Sequence, residues 1–308
     1  MTTRLLALSA ASCFTLLACS AAPGEETGTT EAREPIVGGV AATGYPEAAL
    51  VNMSQKGVQV AICSGSVIAP QVVLTAGHCV VEFDGWTVRA PYASNQTAKA
   101  TGAATYDYKS TANTVDPNAH DVALIFLATP IKLASYPKIA AAKLANGSSI
   151  VNLGRIKDGV ASSSQVYTSG AIKVSDGAQY GYPYDYLASE VIQSGDSGGP
   201  DFAAGTHTIV AVNSGAGGGT EVLARVDLVA SWTAQQIASH GGGGGGGVVT
   251  PPPPSSCAHA LCGAGVKLTS ACDPCAATIC AADSYCCNNS WDSVCVQEVG
   301  TMCGKTCP

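Results

Sequence analysis

Gly195-Asp196-Ser197-Gly198-Gly199-Pro200 decides how the rest of this chain is read. Glycines on both sides of Ser197 permit backbone conformations that a side chain forbids. Such a turn can present a serine hydroxyl and gather backbone N–H groups at one point. That arrangement stabilises the oxyanion of a tetrahedral acyl-transfer intermediate. Taken alone, the hexapeptide also fits a Gly-rich surface turn. A base and an acid elsewhere in the chain separate the two readings.

The chain has 308 residues, enough for one sizeable domain with appended segments. It is 46% hydrophobic and only 12% charged, so a large core is available. A net charge of -7 argues against nucleic acid as a partner, because phosphate binding needs a basic surface. The 35 glycines and the scarcity of long amphipathic periods favour strands and turns over helices. Of the 14 cysteines, ten follow residue 256, which points to an oxidising compartment.

The N-terminus supports export. Met1 to Arg4 is a short positive start, and Leu5 to Ala18 is an apolar run too short to span a bilayer. Residues 1–18 read as a signal peptide. The run ends in Leu16-Leu17-Ala18-Cys19, which resembles a bacterial lipoprotein signal. That resemblance implies acylation of Cys19 and an outer-membrane lipid anchor. Ordinary cleavage and release from the cell is the alternative. Residues 19–35 are polar and acidic and read as a tether or pro-segment.

Residues 36–240 hold the candidate chemistry. Ile36-Val37-Gly38-Gly39 opens this part. Two β-branched runs follow, Val58 to Ile68 and Val72 to Thr75, with His78 just beyond the second. Cys63 and Cys79 are the only cysteines here, so they are expected to pair and clamp the loop carrying His78. Asp121 leads into the apolar strand Val122-Ala123-Leu124-Ile125-Phe126-Leu127. A carboxylate held there costs free energy unless paired, and a histidine N–H is a suitable partner. A strand-initiating turn acid is the other reading of Asp121, and His120 reads as a surface residue.

Ile36-Val37-Gly38-Gly39, Leu74-Thr75-Ala76-Gly77-His78-Cys79, Asp121-Val122-Ala123-Leu124 and the Ser197 hexapeptide occur in that order. Together they resemble the trypsin/chymotrypsin family of serine proteases, and the order His, Asp, Ser sets it apart from other serine hydrolases. The resemblance implies an all-β fold of two antiparallel Greek-key β-barrels with the site in the cleft between them. A C-terminal helix follows, with Trp232 and Ile237 as core anchors. It also implies Ser197 as nucleophile, His78 as general base and Asp121 as its orienting acid, with the N–H groups of Gly195 and Ser197 as the oxyanion hole. No cofactor or metal is implied, and the partners are protein or peptide substrates.

Two departures from the family pattern stand out. In the family a freed α-amino group pairs with the acid before the serine, here Ile36 with Asp196. However, Glu34 and Pro35 precede Ile36, where the family typically has a basic residue. Either another protease matures the chain or activation takes a different route. The second departure is the specificity pocket. Its floor falls on Val191, its wall on Ser214 and Gly215, and Glu221 lies a few residues on. If Glu221 reaches the pocket it selects basic side chains; if not, Val191 favours small or apolar ones. Trypsin-like cleavage after basic residues is the expectation carried forward.

Gly241 to Gly247 and Pro251 to Pro254 make residues 241–256 a linker, part flexible coil and part stiff spacer. Residues 257–308 form a cysteine-rich module whose small core needs staples, and five disulfides of unassigned connectivity are expected. The neighbours Cys286 and Cys287 are expected to take different partners. Zinc at Cys272-Asp273-Pro274-Cys275 is disfavoured, because only His259 is nearby. The pattern is similar to a small module appended to secreted hydrolases of myxobacteria. Attachment to a surface or matrix ligand and a protease-resistant cap are its two readings. For the whole chain the expectation is an exported serine endopeptidase. The rival is a non-catalytic surface binding protein on a protease scaffold.

Overall fold

The computed structural model describes residues 39–112, 114–241, 257–270 and 272–307. Cys19, Ile36 and linker residues 242–256 lie outside them. Six antiparallel strands close into a barrel: Ala48–Gln55, Val58–Ala69, Val72–Thr75, Ala123–Leu127, Gln96–Thr105 and Gly85–Ala90, in that order round the ring. The last strand in sequence, Ala123–Leu127, inserts beside Val72–Thr75, which gives a Greek-key order. Successive side chains of a strand point to opposite faces. Val73 and Ile125 accordingly fill the barrel with Val51, Val67 and Val88. Leu74 and Leu124 face the other way and join Leu153, Phe202, Ile209, Val212 and Leu223. Both faces are buried, so these strands read in sequence as unbroken apolar runs.

The second half, joined by the short strand Val40–Ala41, forms one ten-stranded sheet. Its centre runs Ser149–Gly154, Pro200–Ala203, Thr208–Gly217, Thr220–Arg225 and Asp185–Ser189, again in Greek-key order. The helix Ala230–His240 follows, and partly buried Trp232 and Ile237 pack against the cluster between the two halves, as expected. The helix ends at His240, whose ring stacks on Phe126 at 3.9 Å.

The C-terminal module is helical, with helices Pro274–Ala282, Tyr285–Asn288 and Ser293–Cys303. Asp273 and Asp292 cap two of these helices by accepting backbone N–H groups of their first turns. Five disulfides join Cys257–Cys272, Cys262–Cys307, Cys275–Cys303, Cys280–Cys287 and Cys286–Cys295. The neighbours Cys286 and Cys287 do take different partners. Trp291 is fully buried among them and donates its indole N–H to Leu261 O at 2.8 Å.

Candidate active site

The strand Val72–Thr75 ends in a short 3-10 turn, Gly77–Cys79, which carries His78. Cys79 is bridged to Cys63 on the neighbouring strand, so the turn is fixed at its far end. Asp121 enters from the start of the adjacent strand and is 2% exposed. It grips His78 twice. Asp121 Oδ1 accepts the His78 backbone N–H at 2.8 Å, and Oδ2 lies 2.8 Å from His78 Nδ1. Ser214 Oγ donates to the same Oδ2 at 2.6 Å. Burial alone would lower the His78 pKa, but the charge and hydrogen bond of Asp121 outweigh it and raise the imidazole above 6.5.

Ser197 reaches this place from the other half. Its carbonyl accepts the Ser64 N–H at 2.8 Å, and the next residue, Gly198, donates to Asn213 O at 2.8 Å. Gly198 has φ +76°, and a Cβ there would lie 2.1 Å from Thr75 Oγ1. The serine turn is therefore packed onto the end of the strand that carries His78, closer than any side chain would allow. Gly195 has φ +110°, and its carbonyl accepts the Ser64 hydroxyl at 3.1 Å. Among the described residues, neither Gly195 nor Ser197 donates its own N–H to a protein acceptor.

Asp196 is fully buried beside them. Its Oδ1 accepts the Ile156 N–H at 2.8 Å and its Oδ2 the Gln193 N–H at 2.9 Å. Burial pushes its carboxyl up to about 6, against the pull of the Ile156, Gln193 and Arg155 N–H groups and the Arg155 charge.

The four pocket residues named from the sequence have different surroundings. Val191 and Gly215 are partly buried, whereas Ser214 turns to Asp121. Glu221 is not presented to open space. It is fully buried, with Oε1 accepting from Asn152 Nδ2 at 2.9 Å and Oε2 from the Val191 N–H at 3.0 Å. Burial raises its pKa to about 7. Asp201 is fully buried nearby and likewise shifted well upward, by burial first and then by Glu221.

A family model described as Trypsin matches residues 36–233, and one described as Domain of unknown function (DUF8252) matches residues 255–307. Human heparin binding protein is similar in structure, with a TM-score of 0.54 and 20% identity over 68% of this chain and 100% of that one. The scabies mite inactivated protease paralogue S-I1 matches with a TM-score of 0.54 and 18% identity over 65% of this chain and 97% of that one. A structure titled GrC matches with a TM-score of 0.55 and 19% identity over 65% and 99% of the two chains. No curated protein matches the chain. At these identities the solved structures speak to the fold, and function has to be argued from the site.

Proposed function

The chain belongs to the trypsin family, and from that premise we propose that it is an exported serine endopeptidase. The observation that carries this reading is Asp121, which holds His78 by two contacts and is itself held by Ser214. A serine hydroxyl becomes an effective nucleophile when an adjacent base takes its proton. Ser197 Oγ attacks the peptide carbonyl carbon while His78 accepts the hydroxyl proton. The tetrahedral oxyanion is received by the N–H groups of Gly195 and Ser197. Its collapse breaks the C–N bond, and His78 returns the proton to the leaving amine. Water then hydrolyses the acyl-enzyme by the same proton route. Asp121 orients the imidazole and stabilises it when charged.

A fluorophosphonate probe tests this on the purified mature protein. Labelling at Ser197 that disappears in Ser197→Ala is the expected result, with turnover in that variant down by several orders of magnitude. No labelling of wild type sinks the reading. The second reading, a non-catalytic binding protein, is favoured by relatives titled as an inactivated paralogue and a heparin binding protein. It predicts an unreactive Ser197.

For specificity, the burial of Glu221 favours small or apolar residues before the scissile bond, with Val191 at the pocket floor. A carboxyl that recognises Lys or Arg must be reachable. Chromogenic peptides differing only at that residue decide the matter, and a preference for Arg over Ala and Leu would reinstate the Glu221 reading. The remaining proposals concern placement: export by residues 1–18, an acylated Cys19, a linker at 241–256 and an attachment role for residues 257–308. Radiolabelled fatty acid incorporated into wild type but not into Cys19→Ala is the test of the anchor.

A further inference from the structure

Asn213 stands between the ten-stranded sheet and the nucleophile turn. Its Nδ2 donates to Leu153 O at 2.9 Å and to Asp196 O at 3.1 Å. The Asp196 carbonyl also accepts the Gly199 N–H at 2.9 Å. The C=O and N–H of one trans peptide lie in a plane and point opposite ways. Two donors on the Asp196 carbonyl therefore aim the N–H of Ser197, one of the two proposed for the oxyanion. Gly199 admits the Asn213 amide, since a Cβ there would stand 2.8 Å from Asn213 Nδ2.

The Asn213 amide is itself held. Its Oδ1 accepts from Asn152 Nδ2 at 3.1 Å, and the same Nδ2 donates to Glu221 Oε1 at 2.9 Å. These two acceptors decide which end of the Asn152 amide faces them. Asn152 Oδ1 is left directed elsewhere, fully buried and without a donor. Asp201 lies directly opposite Asn152 on the antiparallel strands Ser149–Gly154 and Pro200–Ala203. Residues paired in this way project to the same face of a sheet. Asp201 is also fully buried, and neither of its oxygens has a donor. Among the described residues, no Lys, Arg or His pairs with it. Three buried acceptors thus lack a hydrogen between them. A proton on Asp201 supplies one. One oxygen becomes an O–H donor for Asn152 Oδ1, and the other becomes a neutral carbonyl, which costs less to bury unpaired than a carboxylate. Burial first, and then the neighbouring Glu221, push the Asp201 pKa well up, in the same direction.

We propose that Asp201 is a positioning residue: as a neutral carboxylic acid it donates to Asn152 Oδ1 and, through Asn152 and Asn213, fixes the peptide that presents the Ser197 N–H. This rests on the reading of Ser197 as nucleophile.

The test measures kcat and KM on the preferred chromogenic peptide and the affinity for the matching peptide aldehyde, whose adduct with Ser197 carries an oxyanion. The matching peptide alcohol, which forms no adduct, is the control. Asp201→Asn keeps a donor of nearly the same size and is expected to hold kcat within about threefold. Asp201→Leu has no donor. Its kcat is expected to fall by roughly 10- to 100-fold with KM within about twofold, and its affinity for the aldehyde to fall by the same factor while that for the alcohol is kept. Asn213→Val cuts the chain next to the Asp196 carbonyl, should show the same pattern, and decides the matter if Asp201→Leu does not fold. An Asp201→Asn that fails to fold or loses kcat overturns the inference, because the carboxylate charge is then required. A folded Asp201→Leu or Asn213→Val with wild-type kcat and aldehyde affinity overturns it as well. Each of these outcomes leaves the catalytic reading standing. A wild type with neither turnover nor fluorophosphonate labelling removes that reading and this inference together.

Discussion

Asp121 concentrates three contacts on one carboxylate: the His78 N–H, His78 Nδ1 and the Ser214 hydroxyl. The hydroxyl lies at 2.6 Å in a buried setting, and hydrogen bonds to charged groups are the stronger kind. Ser214→Ala removes that donor and leaves Oδ2 with the His78 Nδ1 contact alone. We expect kcat/KM to fall by about 10- to 100-fold, from the roughly 1.5–3 kcal/mol of a charged hydrogen bond. The pH profile adds a sign. His78 must be neutral to accept a proton, and its pKa is raised above 6.5, so activity rises with pH through an acid limb above that value. In Ser214→Ala the less neutralised Asp121 holds the imidazolium more firmly, so the limb moves to higher pH. A profile of kcat/KM against pH for both proteins checks this, and an unmoved limb counts against Asp121 as the partner of His78.

The strands and turns set how far sequence could reach. Val72–Thr75 and Ala123–Leu127 were legible because buried β-branched and apolar runs have few other readings. Cys63–Cys79 was legible because the domain has no other cysteine, and its pairing across 16 positions closes a loop of the size worth about 3 kcal/mol. Replacing both cysteines by alanine should lower Tm by roughly 10 °C and weaken kcat/KM as the His78 turn loosens; differential scanning calorimetry and steady-state kinetics report the two effects. Ser214 and Glu221 were harder. The ladder between Thr208–Gly217 and Thr220–Arg225 shifts register between Asn213 and Gly215. A one-residue shift exchanges the faces of a strand, and period-two reading from sequence does not see it. The extra residue at the shift is Ser214, which meets Asp121, 93 positions away, and Glu221 on the partner strand turns inward to Asn152 and Val191.

At the scale of the molecule, the two folded regions each hold their own core. Trp291, Leu268, Ile279 and Val299 pack with the cystines of the module, while Leu74, Leu124, Phe202 and Leu223 fill the space between the two β halves. Removing residues 242–308 should therefore leave kcat/KM on small peptides within about twofold, and a larger loss would show that the module serves catalysis. The charge distribution makes a stronger demand. The β domain buries acids whose ionisation the fold opposes: Asp196 is raised to about 6, Glu221 to about 7 and Asp185 to about 8, each by burial first. A carboxyl with a raised pKa binds its proton more tightly when folded. Its contribution is complete below its unfolded pKa and is lost as pH rises through the folded value. For these three groups the loss runs from about pH 4 to about pH 8. His78, also raised, acts in the same direction. Asp176 alone among the shifted acids is lowered, chiefly by Lys143, but it lies near the surface, where an ion pair is worth little. Tm should therefore be higher at pH 5 than at pH 9, by about 5 °C or more. Glu221→Gln keeps the acceptor that faces the Val191 N–H and removes one ionisation, so it should flatten the slope and raise Tm at pH 9. A Tm that climbs with pH across this window would mean that these acids are charged and compensated in the folded chain.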